Sequence, residues 1–143
     1  MDKTLSCYYL DEPLSPEERE FAEESLIGKD ARFLTGATSL VERRIPNILP
    51  VPGQDGLFSS DLASDVQLVK ANLRRAGIRA DGGKQVLLVL PKDIEWGAIF
   101  QMAIHHETGY SPYTLQRWYY DGEQIERRDP RIVDVHGLMG EKD

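Results

Sequence analysis

The stretch Gln85-Val86-Leu87-Leu88-Val89-Leu90-Pro91-Lys92-Asp93-Ile94-Glu95-Trp96-Gly97-Ala98-Ile99-Phe100-Gln101-Met102-Ala103, closed by Gly109, decides the fold. Five apolar residues in a row, 86–90, suit a strand covered on both faces. Pro91 stops the run. Ile94, Ala98, Ile99, Met102 and Ala103 then recur at helical spacing, the pattern of a helix packed on that strand. Asp93 can cap the helix start, and Gly109 can take the left-handed turn at its end. The unit reads as strand, tight polar turn, helix. In open α/β sheets such a turn, at the carboxyl end of a central strand, is where ligands sit.

Outward from this unit, residues 4–10 read as a strand carrying Leu5, Cys7, Tyr8, Tyr9 and Leu10. Ser15-Pro16-Glu17-Glu18 is a helix start with a capping box, with Pro16 at its first position. Phe21, Ala22, Ser25 and Leu26 form the stripe of that helix, and Gly28 ends it. The acidic first turn reads as dipole compensation and solubility. Residues 31–34 suit a short strand, and Pro46, Pro50 and Pro52 allow only an edge strand or an extended segment over 43–52. Leu62, Val66, Val69, Leu73 and Ala76 predict a helix capped by Ser59 or Ser60 and ended by Gly77. Tyr113 to Tyr120 alternates and is rich in aromatics, as strands are. Asp121-Gly122 is a turn, and 131–135 is a last short strand. Residues from Gly140 onward are expected to be a frayed tail. The order implies parallel strands joined by crossover helices, with a C-terminal antiparallel hairpin. The expectation is therefore one Rossmann-like α/β domain over 1–143, with a mostly parallel sheet and helices on both faces.

Composition bounds the function. The 143 residues are 41% hydrophobic and 29% charged, as in a soluble globular domain. No run is long enough to span a membrane. Met1-Asp2-Lys3-Thr4 lacks the basic and apolar regions of a signal peptide, so a cytoplasmic protein is expected. Cys7 is the only cysteine, which excludes an intrachain disulfide and a multi-cysteine metal site. The net charge of −7 argues against long nucleic acid as a partner, though not against a small anion. No Gly-x-Gly-x-x-Gly follows a strand and no Gly-Lys-Ser or Gly-Lys-Thr loop is present, so no dinucleotide or ATP cofactor is expected.

The strand tips collect candidate binding residues: Tyr9, Asp11 and Glu12 on one, and Pro91, Lys92 and Asp93 on the other, with Ser59, Ser60 and Trp96 at helix starts. Lys92 and the serine hydroxyls can hold phosphate, while Tyr9 and Trp96 can stack on a base. Asp11, Glu12 and Asp93 can accept from an amino or hydroxyl group. The plainer readings are helix caps for the serines, a solvated turn for Lys92 and core or interface packing for Trp96. His105 and His106, with Glu107, are the titratable pair, but they sit where they would serve a helix C-terminus, and their spacing is not that of metal ligands. His136 has no visible partner. No catalytic residue is assigned.

The chain resembles the small stand-alone ancillary proteins of type III CRISPR systems, which carry a CRISPR-associated Rossmann fold (CARF). Leu14-Ser15-Pro16-Glu17-Glu18 is similar to their Pro-Leu-Thr-x-Glu stretch, with Glu12 where the family often has His. Pro50-Val51-Pro52-Gly53-Gln54 resembles their extended segment, and Leu88-Val89-Leu90-Pro91 the end of their central strand. Gly109-Tyr110-Ser111-Pro112 and Ile132-Val133-Asp134-Val135-His136-Gly137-Leu138 are similar to their later turn and closing strand. The resemblance implies a receptor for a cyclic oligoadenylate, most often cyclic tetra-adenylate, bound between copies of a homodimer or higher homo-oligomer. Such a protein lowers the free messenger by sequestration. The alternatives are a metal-independent ring nuclease that uses the ribose 2′-hydroxyl, and an interaction module that pairs through its aromatic strand.

Overall fold

The computed structural model describes residues 4–10, 12–27, 38–45, 62–78, 86–92 and 94–133, with the backbone alone for 62–65, 94 and 95. Five strands, β1 (Thr4–Tyr9), β2 (Ser39–Arg44), β3 (Val86–Val89), β4 (Tyr113–Tyr120) and β5 (Ile125–Val133), form one sheet in the order β2-β1-β3-β4-β5. β1 runs parallel to β2 and β3, β3 runs parallel to β4, and only the β4–β5 pair is antiparallel. The helices among the described residues are α1 (Pro16–Leu26), α2 (Leu62–Ala76) and α3 (Ile94–Thr108). None is long and apolar enough to cross a membrane.

The alternation of the strands sorts the core into two layers. Tyr8, Val86 and Leu88 face α2 and α3, packing on Val69, Leu73, Ile99, Phe100, Ala103 and Ile104. Leu5, Cys7, Leu87, Val89 and Leu115 face α1, packing on Ala22 and Leu26. Because side chains alternate along a strand, the unbroken run of β3 serves both layers, and all four of its residues are fully buried.

The helix ends follow their capping chemistry. The Glu18 N–H donates to Ser15 Oγ at 3.2 Å and the Ser15 N–H donates to Glu18 Oε1 at 2.9 Å, closing the capping box. Gly77 and Gly109 end α2 and α3 in the left-handed region, at φ 87° and 83°. The Gly109 N–H donates to the His105 carbonyl at 2.8 Å.

Several expectations are corrected. The buried stripe of α3 is Ile99, Phe100, Ala103 and Ile104; Ala98 and Met102, expected inside, are exposed. The true stripe sits one residue over because α3 packs on both β3 and the neighbouring α2. β5 starts six residues earlier than expected, at Ile125. An irregularity sets three residues of β5, 128–130, against Arg117 alone, which hides the alternation from the sequence. β2 is an edge strand, but it begins at Ser39, ahead of the predicted extended segment. The expected strand at 31–34, Gly28, the segment 46–58 and the tail from 140 lie outside the described residues.

Candidate functional site

The sheet order reverses between β1 and β3: β2 lies to one side of β1, and β3 to the other. The carboxyl ends of β1, β3 and β4 therefore share one rim, where ligands of open α/β sheets bind. Lys92 and Pro91 follow β3 there, and Glu12 follows β1. Asp11, Ser59, Ser60 and Asp93 lie outside the described residues.

On the α1 side, this rim is filled by the protein's own charges. Arg117, from the middle of β4, is fully buried. Its guanidinium donates to Glu18 Oε1 at 2.9 Å and to the carbonyls of Pro13 at 3.1 Å and Glu12 at 2.7 Å. Arg127 of β5 meets both carboxylate oxygens of Glu18 at 3.0 Å and Glu12 Oε2 at 3.3 Å. Burial pushes the Glu18 carboxyl up, but the Ser15 N–H and the two guanidiniums outweigh it and hold its pKa below the ordinary value. The cluster ties the start of α1 and the segment after β1 to the hairpin. Glu18 thus joins a buried ion cluster, where the sequence suggested a solvated first turn.

On the opposite face the rim is open. A groove of about 570 Å³ runs from the β3–α3 turn across the β4–β5 hairpin. Leu90, Pro91 and Lys92 form one end. Gly97, Ala98 and Gln101 of α3 form one wall, and their short side chains at 97 and 98 leave the gap. The hairpin supplies the floor and far wall, with Thr114, Gln116, Trp118, Tyr119 and Tyr120 from β4 and Ile125, Arg131 and Val133 from β5. The groove lies where the β4–β5 hairpin extends the sheet beyond β1 and β3, the strands on which the buried stripe of α3 packs.

The chemistry of this lining is one-sided. Lys92 and Arg131 are its charged residues, and no carboxylate is among the described residues that line it. Among the described residues the lining thus carries the sign opposite to the net charge of the chain, −7. The Lys92 ammonium lies 5.2 Å from the centroid of the Trp118 ring and the Arg127 guanidinium 5.5 Å from it. Arg131 lies 5.2 Å from the Tyr119 ring and donates from Nε to Gln116 Oε1 at 2.8 Å. The Trp118 Nε1–H is buried and meets no acceptor among the described residues.

Of the residues expected at the site, Pro91 and Lys92 line the groove. Tyr9 packs with the α1-side core, and Glu12 belongs to the ion cluster. Trp96 packs on the α2–α3 side, tilted against Phe100 with ring centroids 6.3 Å apart, and the tryptophan that lines the groove is Trp118. The sequence signal for this was the run of aromatics in β4.

A second, shallower hollow of about 290 Å³ shares Gln101 with the groove and is lined by Met102, His105, His106 and Ser111. Ser111 Oγ lies 3.4 Å from His105 Nδ1, at the outer limit of a hydrogen bond. His105 lies about 16 Å along α3 from its start beside Lys92. Cys7 is buried in the α1-side core; burial, and then the nearby Glu42 carboxylate, push its thiol up to about 12, which makes it inert. Among the described residues no group of three or more His, Cys, Asp or Glu is placed to hold a metal ion.

No family model, no curated protein and no solved structure matches the chain.

Proposed function

We propose that the groove between α3 and the β4–β5 hairpin binds a nucleotide, and that the protein is a receptor which sequesters a cyclic oligoadenylate, cyclic tetra-adenylate first among them. One observation carries this reading. On an acidic chain, a groove at the ligand-binding rim of an α/β sheet is lined by two cations and three aromatic rings, with no described carboxylate. Cations meet phosphates, and rings stack on bases for roughly 1–3 kcal/mol each. The volume falls within the range of about 300–1,000 Å³ usual for small-ligand sites. A ring of four nucleotides exceeds what one groove can enclose, so the reading calls for a second copy of the chain to complete the site. A homodimer or higher homo-oligomer in the cytoplasm is part of the proposal.

Binding without turnover is favoured by the position of the histidines. Cleavage needs the ribose 2′-hydroxyl in line with the phosphodiester and a proton acceptor within reach, and the two described histidines, His105 and His106, stand at the far end of α3. The ring-nuclease reading rests on the His105–Ser111 contact in the adjoining hollow. The interaction-module reading rests on Tyr120, which is 63% exposed at the hairpin tip.

Incubation of the purified protein with labelled cyclic tetra-adenylate separates the three. Intact ligand retained on the protein is the expected result. Linear products would establish the nuclease, and absence of binding at micromolar protein would leave the interaction module.

A further inference from the structure

We infer that the groove selects molecules carrying a flat aromatic ring and an anion together, and that Lys92 is the selector; this rests on the nucleotide reading of the groove. Two cations lie on the Trp118 indole, Lys92 at 5.2 Å and Arg127 at 5.5 Å from its centroid. They are held very differently. Arg127 is anchored outside the groove by both oxygens of Glu18 at 3.0 Å and by Glu12 at 3.3 Å. Lys92 is exposed, on the turn after β3, and it lines the groove together with Trp118, which Arg127 does not.

A base that stacks on Trp118 from the groove must take the place of Lys92. The displaced ammonium then loses its contact with the ring, and a neutral nucleoside offers it nothing in return. A nucleotide brings its own replacement: the phosphate travels with the base, and the flexible lysine stem carries the ammonium from ring to phosphate. Arg131 cannot serve in its stead without giving up its bond to Gln116 at 2.8 Å and its place on Tyr119. Lys92 therefore disfavours neutral aromatic ligands and favours anionic ones at the same ring, and the two effects multiply in the ratio of affinities.

The test uses the full chain, wild type and Lys92→Ala, each titrated with adenosine and with adenosine 5′-monophosphate and followed by tryptophan fluorescence and calorimetry. Lys92 is an exposed turn residue, and equal melting temperatures will verify that the variant keeps the fold. In Lys92→Ala, the monophosphate should bind several-fold more weakly. Adenosine should bind about two- to five-fold more tightly, the worth of one partly exposed cation–π contact. This crossing is the expected result. A lysine that only touches phosphate would leave adenosine unchanged, and unchanged or weaker adenosine binding overturns the inference while wild-type binding of the monophosphate upholds the nucleotide reading. If wild type binds neither the monophosphate at millimolar concentration nor cyclic tetra-adenylate, both fall together.

Discussion

Replacing Glu18 by glutamine removes one negative charge from the ion cluster and turns one of the two oxygens that Arg127 meets into an amide nitrogen. Glutamine keeps the length of the side chain and its place in the capping box. What it leaves behind is Arg117, a guanidinium with no solvent exposure, held by the Pro13 and Glu12 carbonyls at 3.1 and 2.7 Å. Removing one member of a buried ion pair costs about 3–5 kcal/mol. The two carbonyls still satisfy part of the guanidinium, so we expect about 3 kcal/mol. Arg127 adds little, since its side chain is a third exposed and screened by solvent. For a chain of this size the melting temperature should fall by roughly 6–12 °C, at about 2–4 °C for each kcal/mol. Arg117→Met alone should also destabilise, because it removes the guanidinium that donates to Glu18 and to the Pro13 and Glu12 carbonyls, while Arg127 and the Ser15 N–H still hold the carboxylate. The double variant removes both buried charges and should recover about 2 kcal/mol of the summed losses, within the coupling seen for contacting pairs. Urea unfolding of the four proteins at neutral pH measures the cycle. Losses that add to within about 0.5 kcal/mol would refute the claim that Glu18 and Arg117 form one energetic unit.

Four other outcomes follow from single residues. The native pKa of Glu18 is lowered, so its contribution is complete above the ordinary value of 4.5 and is lost as pH falls through the lower native value; the stability gap between wild type and Glu18→Gln should close below that range, and a gap constant with pH would contradict the assignment. Cys7, with its thiol raised to about 12, should resist alkylation in the native protein at mildly alkaline pH and react at the rate of unfolding, whereas prompt labelling would place it outside the core. Gly109→Ala should lose about 1 kcal/mol, because φ is +83° there, while Gly97→Ala should gain about 0.5–1 kcal/mol, since its new Cβ meets Leu90 and Pro91 at an ordinary 3.5 Å; thermal unfolding of the pair checks both signs.

Much of the frame can be read in the chain because its signals are local. Ser15, Pro16 and Glu18 specify a helix start within four residues. Gly77 and Gly109 specify helix ends through backbone freedom, and the run 86–89 specifies a strand covered twice. The misreadings share a cause. Met102 and Ala98 fit a helical stripe as well as Phe100 and Ile104 do; only the direction from which the sheet and α2 approach selects between them. Arg117 gives no sign of burial in the sequence, because the groups that make it tolerable, Glu18 and the Glu12 and Pro13 carbonyls, lie about a hundred residues earlier in the chain.

The candidate site divides in the same way. By itself the sequence determined that a polar turn, Pro91-Lys92, sits at the tip of a central strand, since apolar runs and their breakers act over a few residues. Which ring that lysine would meet was decided by the tertiary structure alone. Trp96 is four residues away in the chain, but it packs on Phe100; Trp118 is 26 residues away, but parallel pairing of β3 with β4 brings it under the ammonium. Strand order and the crossing of α3 are settled by long-range packing, which no window of sequence contains, and they decide which side of the rim is filled by ions and which is open.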